Sequence, residues 1–251
     1  MPRYRVINLV IYNAAERHEQ LMRLELERLA HPEVKRLFVS LSQSCSAPHE
    51  RDGTFFVPGD ENFIPGILHK TVEALAYCSR TLTFDYVVRS NVSTVIDFAR
   101  LFTILPERSA KIVYASTHIW GPPSAFASGT NIILNAAAVE YILRSRSELR
   151  MDIIDDLSIG MLLAGVTTPR QLSPHMVWND EISDGVVYRN RSDDRMTDVA
   201  RMARIVSRIT ASPSGSTSPV WLLAVLAFAL LIILRMARRS TMIRSSVQVV
   251  S

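Results

Sequence analysis

The segment RVINLVIYNAAERHEQLMRLELERLAHPEVKRLFVSL (residues 5–41) decides the fold class of this chain. RVINLVIY is a run of apolar and β-branched residues, which predicts a strand, and RLFVSL at the end of the segment predicts a second one. Between them, AAERHEQLMRLELERLA has the spacing of an amphipathic helix, with Leu21, Leu24 and Leu29 near one face. This order of elements predicts a β-α-β unit.

The same alternation of strands and helices continues along the chain. GTFFVP (residues 53–58) predicts a short strand, PGILHKTVEALAYCSR (65–80) a helix with proline in its first turn, and FDYVV (84–88) a strand apolar enough to be central. VIDFARLFTIL (95–105) then predicts a helix, and KIVYAS (111–116) a strand. Interleaved helices and strands indicate a layered α/β domain.

Composition and charge limit the classes of protein. With 251 residues and 48% hydrophobic content, the chain can form one large α/β domain or two small ones. The formal charge is +4, and four arginines near the C-terminus (Arg235, Arg238, Arg239 and Arg244) account for it, so residues 1–218 are neutral. A neutral body with a basic tail argues against a nucleic acid partner and favours a cluster beside a membrane.

The cysteines and the N-terminus give no sign of export. One bridge between Cys45 and Cys78 would not be a disulfide framework in a domain of this size, so we predict two reduced thiols. The apolar part of MPRYRVINLVIYNAAERHEQ is broken by Asn8 and is followed by a charged helical pattern. A secretory signal peptide has a longer uninterrupted core.

A membrane anchor is predicted near the C-terminus. VWLLAVLAFALLIIL (residues 220–234) contains no polar residue and follows a segment rich in serine and proline. We therefore divide the chain into a domain at 1–208, a linker at 209–218, a transmembrane helix at 219–235 and a basic tail at 236–251. A buried core helix is the alternative, which the linker and the basic residues disfavour.

The orientation of this anchor is less well determined by the sequence. Arginines flank the apolar run on both sides, so the positive-inside rule does not discriminate. The absence of a signal peptide and the short tail favour a tail anchor with the main domain in the cytosol. Asn91-Val92-Ser93 and Asn190-Arg191-Ser192 are glycosylation sequons, and a glycan on Asn91 would obstruct the site proposed below, which also favours the cytosol.

Several common motifs are missing from the sequence. No GxGxxG follows the first strand, and neither GxxxxGK[ST] nor GxSxG occurs. Dinucleotide-binding, P-loop and α/β-hydrolase functions therefore lose their main support. The six histidines lack the close spacing of a helical zinc pair: His18, His31, His49, His69, His118 and His175.

Four other segments occur in a recognisable order. GDENFIPGILHKTVEAL (residues 59–75) places Lys70-Thr71 on a helix, and FDYVVRSNVSTV (84–95) is a strand followed by a polar turn. FASGTNIILN (126–135) and IIDDLSIGMLL (153–163) come next. In order and spacing, these segments resemble the motifs of β-1,3-glycosyltransferases and Fringe-like enzymes.

This resemblance implies a GT-A-like (Rossmann-like) fold, with a three-layer α/β/α domain and a mixed, mainly parallel sheet. The apolar run adds one C-terminal transmembrane helix to this α/β domain. The resemblance also implies transfer of a sugar from a nucleotide-sugar, with UDP as the nucleotide, to an acceptor hydroxyl on a glycan or glycoprotein. A membrane anchor suits an enzyme that works on a surface-associated acceptor. No nucleic acid partner is expected.

The departure from the family pattern falls at the end of the FDYVV strand. The family has aspartates at the positions aligned with Asn91, Val92 and Ser93, where they hold a divalent cation against the diphosphate. Neutral oxygens bind Mn²⁺ or Mg²⁺ less well, so the metal is weakly held, or cations and helix N-termini replace it. Asn91 and the downstream His175 are weak metal candidates.

The resemblance implies a diphosphate site made of Lys70, Arg89, Ser90, Asn91, Ser93 and Arg191. The alternative is that Arg89-Ser90-Asn91 is simply a strand exit with asparagine in a turn.

The acidic pair Asp155-Asp156 is the candidate catalytic group. Inverting transfer needs a base that takes the acceptor proton, and the resemblance assigns this role to Asp156, with Asp155 in support. Acids at the start of a helix also stabilise its N-terminus, and the two roles are compatible. For contact with the acceptor or the sugar, the candidates are Trp120, Ser128, Gly129 and Thr130.

Two other functions remain open. Loss of the acidic metal motif is expected in a pseudoenzyme, so the domain could be an inactive carbohydrate-binding or scaffolding module tethered to a membrane. A hydrolase with paired carboxylates needs acids roughly 5 to 10 Å apart across a cleft, which adjacent residues do not naturally provide. We rank this third function last.

Overall fold

The computed structural model describes residues 1–121 and 125–211. Its strands are β1 (Arg3–Ile11), β2 (Val34–Ser42), β3 (His49–Arg51), β4 (Thr54–Pro58), β5 (Thr83–Asn91), β6 (Thr94–Ile96), β7 (Tyr114–Ser116), β8 (Ile119–Trp120), β9 (Phe126–Ala127), β10 (Asn131–Asn135), β11 (Arg170–Gln171), β12 (Val177–Trp178) and β13 (Val187–Arg189). Its helices are α1 (Arg17–Glu27), α2 (Gly66–Thr81), α3 (Phe98–Ile104), α4 (Ala136–Arg144), α5 (Asp155–Leu163) and α6 (Arg195–Ala211), with a short 3-10 helix at Arg146–Glu148.

One sheet of eight strands organises the described chain. Its order is β11-β7-β10-β5-β1-β2-β4-β3. The central strands β5, β1, β2 and β4 run parallel, whereas β10 is antiparallel to both of its neighbours. The central strands are apolar along most of their length because both faces of the sheet are covered. The predicted mixed, mainly parallel sheet is therefore confirmed.

Helices cover both faces of this sheet. On one face, Leu9 and Val87 lie in a core that includes residues of α2, α4 and α5. On the other face, Val10 packs with Met22 of α1 and Met202 of α6, and α3 joins a neighbouring core. Alternate residues of a strand point to opposite faces, which is why Leu9 and Val10 enter different cores. The layers are those of an α/β/α domain, as predicted.

The direction in which successive strands are added to the sheet reverses beside β1. From β1 the chain runs outward through α1 to β2 and then β4, and it returns through α2 to β5 on the opposite side of β1. The carboxyl ends of β1 and β5 therefore border a crevice. In open α/β sheets, ligands bind at such a switch point.

A second, smaller sheet lies at this switch point. Its strand order is β12-β13-β6, and β6 begins three residues after β5 ends. β13 pairs antiparallel with β6, so that Arg189 lies opposite Thr94. This pairing brings a segment nearly 100 residues downstream to the end of β5.

Three local predictions need correction. β5 continues to Asn91, so Arg89 and Ser90 lie within the strand rather than after it. Val95 belongs to β6, and the following helix starts only at Phe98, because the Asp97 side chain accepts a hydrogen bond from Arg100 N and caps it. Leu24 of α1 is 58% exposed, and the face that packs inward carries Met22 and Leu26 instead.

The structure describes only part of the C-terminal region for which the sequence makes predictions. α6 continues to Ala211, past the predicted start of the linker at residue 209, and residues 1–210 form one compact unit. In residues 1–121 and 125–211, no helix has the length and hydropathy needed to cross a bilayer. The predicted anchor at 219–235 and the basic tail lie outside the described residues.

Candidate functional site

A cavity of about 300 Å³ opens at the switch point. This volume is at the lower end of the range for small-molecule sites. Its walls come from the ends of β1 and β5, from α1, from α2 and the loop before it, and from β13 and α6. The lining residues are Ile11, Tyr12, Asn13, Glu19, Glu61, Asn62, Phe63, Ile67, Lys70, Asn91, Val92, Ser93, Arg189 and Arg195.

Lys70 lies in this cavity, but its charge is already balanced. Its Nζ is 2.7 Å from Glu61 Oε2 and donates a hydrogen bond to the Tyr12 carbonyl oxygen at 2.9 Å. Burial lowers the pKa of Lys70, and Glu61 opposes that change. Asn62, next to Glu61, caps α2 by accepting a hydrogen bond from Gly66 N at 2.7 Å. Lys70 and Glu61 thus form a fixed ion pair in the wall.

Arg89 is the centre of a buried network behind Asn91. Its Nη2 lies 2.7 Å from Asp155 Oδ2, and its Nη1 donates hydrogen bonds to Asn91 Oδ1 at 3.0 Å and to the Gly129 carbonyl oxygen. Burial raises the pKa of Asp155, and the nearby Arg89 guanidinium opposes that rise. With only 2% of Arg89 and 6% of Asp155 exposed, this pair supports the structure and cannot contact a solvent-borne acceptor.

Asp156 lies beside the same network and is more accessible. Its Oδ2 accepts a hydrogen bond from Gly129 N at 2.9 Å, and its Oδ1 accepts one from Leu157 N at 2.9 Å. Gly129 permits this close approach, since a Cβ there would lie 2.9 Å from Arg89 Nη1 and 3.2 Å from Asp156 Oδ2. The structure therefore joins Asp155, Asp156 and Gly129 through Arg89 to Asn91 at the cavity wall.

Arg189 is the cation that differs from these pairs. It is 8% exposed, and its Nη1 donates a hydrogen bond to Ser93 Oγ. Among the described residues, no carboxylate forms an ion pair with it. Burial, followed by the charges of Arg191, Arg89 and Arg195, lowers its pKa to about 9, and the charge of Asp198 opposes that change. An anion placed against Arg189 would relieve this cost, because a buried charge is stabilised by a partner of opposite sign.

Sequence reasoning missed Arg189, although a signal was present. Val186-Val187-Tyr188 is an apolar run that ends in an arginine and an asparagine, much as the β5 sequence ends in Arg89-Ser90-Asn91. Comparison of the two strand ends would have pointed to Arg189. Glu19, which also lines the cavity, was missed as well, and burial raises the pKa of its carboxyl group.

The other residues predicted to bind the donor diphosphate do not all lie at the cavity. Ser93 lines the cavity, whereas Ser90 faces the opposite side of the sheet, where its Oγ accepts a hydrogen bond from Asn8 Nδ2 at 3.0 Å. Arg191 is exposed, and its charge acts on Arg189. Asn190, in the second sequon, is completely buried, so the folded domain has no room for a glycan on that side chain.

The loop between β9 and β10 holds the predicted acceptor residues Ser128, Gly129 and Thr130. Both Ser128 and Thr130 are buried, and the Ser128 hydroxyl donates a hydrogen bond to Thr130 Oγ1 at 3.1 Å. These two side chains therefore shape the loop. Only Gly129, through its backbone, reaches Asp156.

Trp120 and His175, two other predicted site residues, both lie near His118. The ring centroids of Trp120 and His118 are 4.6 Å apart, and His175 Nδ1 is 3.2 Å from Gln171 Nε2. Burial and the charge of His175 lower the pKa of His118. Within the described part of the chain, no three His, Cys, Asp or Glu side chains form a group that could hold a metal ion. Asn91 and His175 therefore remain only isolated candidate ligands.

Among known proteins, similarity is found only to solved structures. No protein-family model and no curated protein matches the sequence. The apo form of the glycosyltransferase GlyE from Streptococcus pneumoniae TIGR4 is similar with a TM-score of 0.48 and 13% identity, over 82% of this chain and 62% of that one. A second GlyE structure gives 0.43 and 11%, over 86% and 66%.

A galactosyltransferase, LgtC, in complex with donor and acceptor sugar analogues is also similar, with a TM-score of 0.46 and 10% identity over 83% of this chain and 97% of that one. This chain spans about 62% of the length of the first GlyE structure. At such scores and identities, function has to be inferred from the side chains of the site.

Proposed function

We propose that the protein is a glycosyltransferase of the GT-A type that transfers a sugar from a UDP-linked donor to a hydroxyl of a glycan or glycoprotein, with inversion. Residues 219–235 tether it to a membrane, with the domain on the cytosolic side. The donor diphosphate binds at Arg189, Ser93 and Asn91. Arginine side chains neutralise its charge, and no tightly held metal ion is required.

The observation that carries this proposal is the position of Arg189. Among the described residues, this buried cation forms no ion pair with a carboxylate, and it lines a cavity at the topological switch point of the sheet. Guanidinium groups bind phosphate oxygens well because their geometry permits two parallel hydrogen bonds. Arg191 supplies a second positive charge close by. A diphosphate fits this chemistry better than a neutral ligand does.

In the proposed reaction, Asp156 acts as general base. Its carboxylate takes the proton of the acceptor hydroxyl as the hydroxyl oxygen forms a bond to the anomeric carbon. The bond from that carbon to the diphosphate breaks, and its electron pair leaves with the nucleoside diphosphate. Arg189 stabilises the negative charge that develops on the leaving oxygen. Asp155 and Arg89 hold Asp156 and Gly129 in position.

The experiment compares the wild-type chain, including its C-terminal segment, with the Asp156→Asn variant. UDP-sugar turnover is measured with an acceptor panel, and UDP binding is measured in parallel. We expect Asp156→Asn to lower turnover by roughly 10²–10⁴-fold, as for loss of a general base, with UDP affinity retained. Asp152→Asn is the matched control, since Asp152 is exposed and forms an ion pair with the exposed Arg150. Full turnover by Asp156→Asn would exclude Asp156 as the base.

One observation favours an inactive carbohydrate-binding protein as the second candidate function. Both carboxylate oxygens of Asp156 accept backbone hydrogen bonds, as in a residue that only holds a loop in place. A wild-type chain that binds glycans but neither binds UDP nor consumes any donor would establish this second function.

A further inference from the structure

Two exposed tryptophans lie close to the same histidine ring. Trp120 of β8 and Trp178 of β12 are each 43% exposed. The His118 ring lies 4.6 Å from the ring of Trp120 and 6.4 Å from that of Trp178, with both contacts edge-to-face. We name these three side chains the aromatic platform. Buried tryptophans contribute to a core, whereas exposed ones close together indicate a binding surface.

The aromatic platform adjoins both halves of the proposed site. Trp178 pairs with Arg189 in the parallel register of β12 and β13. On the other side, the His118 carbonyl oxygen accepts a hydrogen bond from Ser128 N at 2.9 Å, and Ser128 precedes the Gly129 that contacts Asp156. A ligand on the platform would therefore be adjacent both to the diphosphate cation and to the acidic pair.

The side chains of the platform carry no charge, which suits an uncharged ligand. The buried Nε2 of His118 has no hydrogen-bond partner among the described residues. Burial and the neighbouring His175 lower the pKa of His118, which keeps its imidazole neutral at pH 7. The Gln171 side chain donates to the Thr117 carbonyl oxygen at 2.6 Å and accepts from Ile119 N at 3.1 Å, so it supports the strand rather than the ligand.

We infer that the aromatic platform binds the acceptor, and that the acceptor is a neutral glycan whose pyranose ring packs its C–H face on Trp120 and Trp178. Aromatic rings combine a large apolar area with a fixed shape, which matches the apolar face of a sugar ring. The role as acceptor site rests on the proposed function, whereas glycan binding by itself does not.

The test is a calorimetric titration of the full-length chain in a zwitterionic detergent without a sugar headgroup. The probes are lactose, mannobiose and N,N′-diacetylchitobiose, with sialyllactose as the charged probe. We expect at least one neutral probe to bind, and Trp120→Ala and Trp178→Ala each to weaken that binding at least tenfold. Trp178→Phe should recover part of the affinity, since a ring is retained. Ile182→Ala is the control for an exposed apolar side chain, as Ile182 is 85% exposed.

Different results separate this inference from the proposed function. Equal glycan affinity in both alanine variants, or no binding of any neutral probe by the wild-type chain, overturns the platform. A preference for sialyllactose overturns its neutral specificity. If the platform variants lose glycan binding while Arg189→Met has no effect on UDP binding, the platform stands and the proposed diphosphate site fails. Unfolding curves of each variant exclude loss of the fold as the cause.

Discussion

Arg89 lies two residues before the end of β5, and Arg189 is the last residue of β13. Both arginines are buried, yet their surroundings differ. Arg89 has a carboxylate 2.7 Å away and further acceptors in Asn91 and Gly129. Among the described residues, the Arg189 side chain donates a hydrogen bond to Ser93 Oγ, and the charges that act on it most strongly are those of Arg191 and Arg89. A buried charge that is balanced within the protein stabilises one arrangement of the fold. A buried charge that is not balanced stabilises a complex with an anion.

The largest effect is expected on the Arg89 side. Asp155→Asn removes the carboxylate and leaves the Arg89 charge buried without its partner, so we expect the free energy of unfolding to fall by about 3–5 kcal/mol. Urea unfolding followed by circular dichroism measures this loss. The Asp152→Asn variant removes a carboxylate of a fully exposed pair and should leave the free energy of unfolding close to that of the wild type.

A double variant sharpens this result. Arg89→Met with Asp155→Leu removes both charges and should recover much of the stability lost in Asp155→Asn, because no buried charge is left unpaired. If Asp155→Asn is as stable as the wild type, the Arg89–Asp155 pair does not hold the loop at Gly129, and the two arginines do not differ in the way described.

The second effect concerns binding at Arg189. Arg189→Met removes the uncompensated cation, so we expect UDP affinity to fall by roughly ten- to a hundredfold, or about 1.5–3 kcal/mol, as for loss of a charge-assisted hydrogen bond. The free energy of unfolding should change by less than about 1 kcal/mol, or even rise, since no carboxylate is left without a partner. Calorimetric titration and urea unfolding provide the two readings.

One result with the Arg189→Met variant would contradict the contrast drawn between Arg89 and Arg189. Strong destabilisation together with unchanged UDP affinity would mean that Arg189 supports the fold and that the diphosphate binds elsewhere. Arg204→Met is the matched control, because Arg204 is more exposed and pairs with Glu181 on the domain surface. Its UDP affinity should equal that of the wild type.

The third effect tests how tightly the Arg89 network is packed. Gly129→Ala would place a Cβ 2.9 Å from Arg89 Nη1 and 3.2 Å from Asp156 Oδ2, so we expect a loss of about 1–3 kcal/mol in the free energy of unfolding. Gly165→Ala is the control, since a Cβ there meets no atom within 4 Å. Equal stability of the two variants would show that the loop at Gly129 can move away from Arg89.

The large sheet could be predicted from the sequence because its central strands are long and apolar. RVINLVIY and FDYVV both carry a clear pattern, and the intervening helices show the helical period. The small sheet could not be predicted in this way, since β6, β12 and β13 are only two or three residues long. Strands this short have no periodicity to detect.

The sequence could not predict which cations of the site form ion pairs with acidic residues. The sequence points to Lys70 and Arg89 as diphosphate-binding cations, but in the fold each has an acidic partner, Glu61 for Lys70 and Asp155 for Arg89. Only the fold shows that, among the described residues, Arg189 forms no such ion pair. The interpretation of Arg89 as a residue after the strand failed for the same reason, because Asp155 permits a charge within it.

The smallest effect is expected from removal of divalent metal. If Arg189 and Arg191 take the place of a cation, UDP affinity in EDTA should lie within about twofold of that in MnCl₂, because Asn91 and Ser93 offer only neutral oxygens to a metal ion. Arg189→Met should then become more dependent on Mn²⁺ than the wild type, since the metal ion would replace the missing positive charge. Titration of both proteins in both buffers measures this coupling. A wild-type chain that needs Mn²⁺ for binding would show that a metal ion, and not Arg189, neutralises the diphosphate.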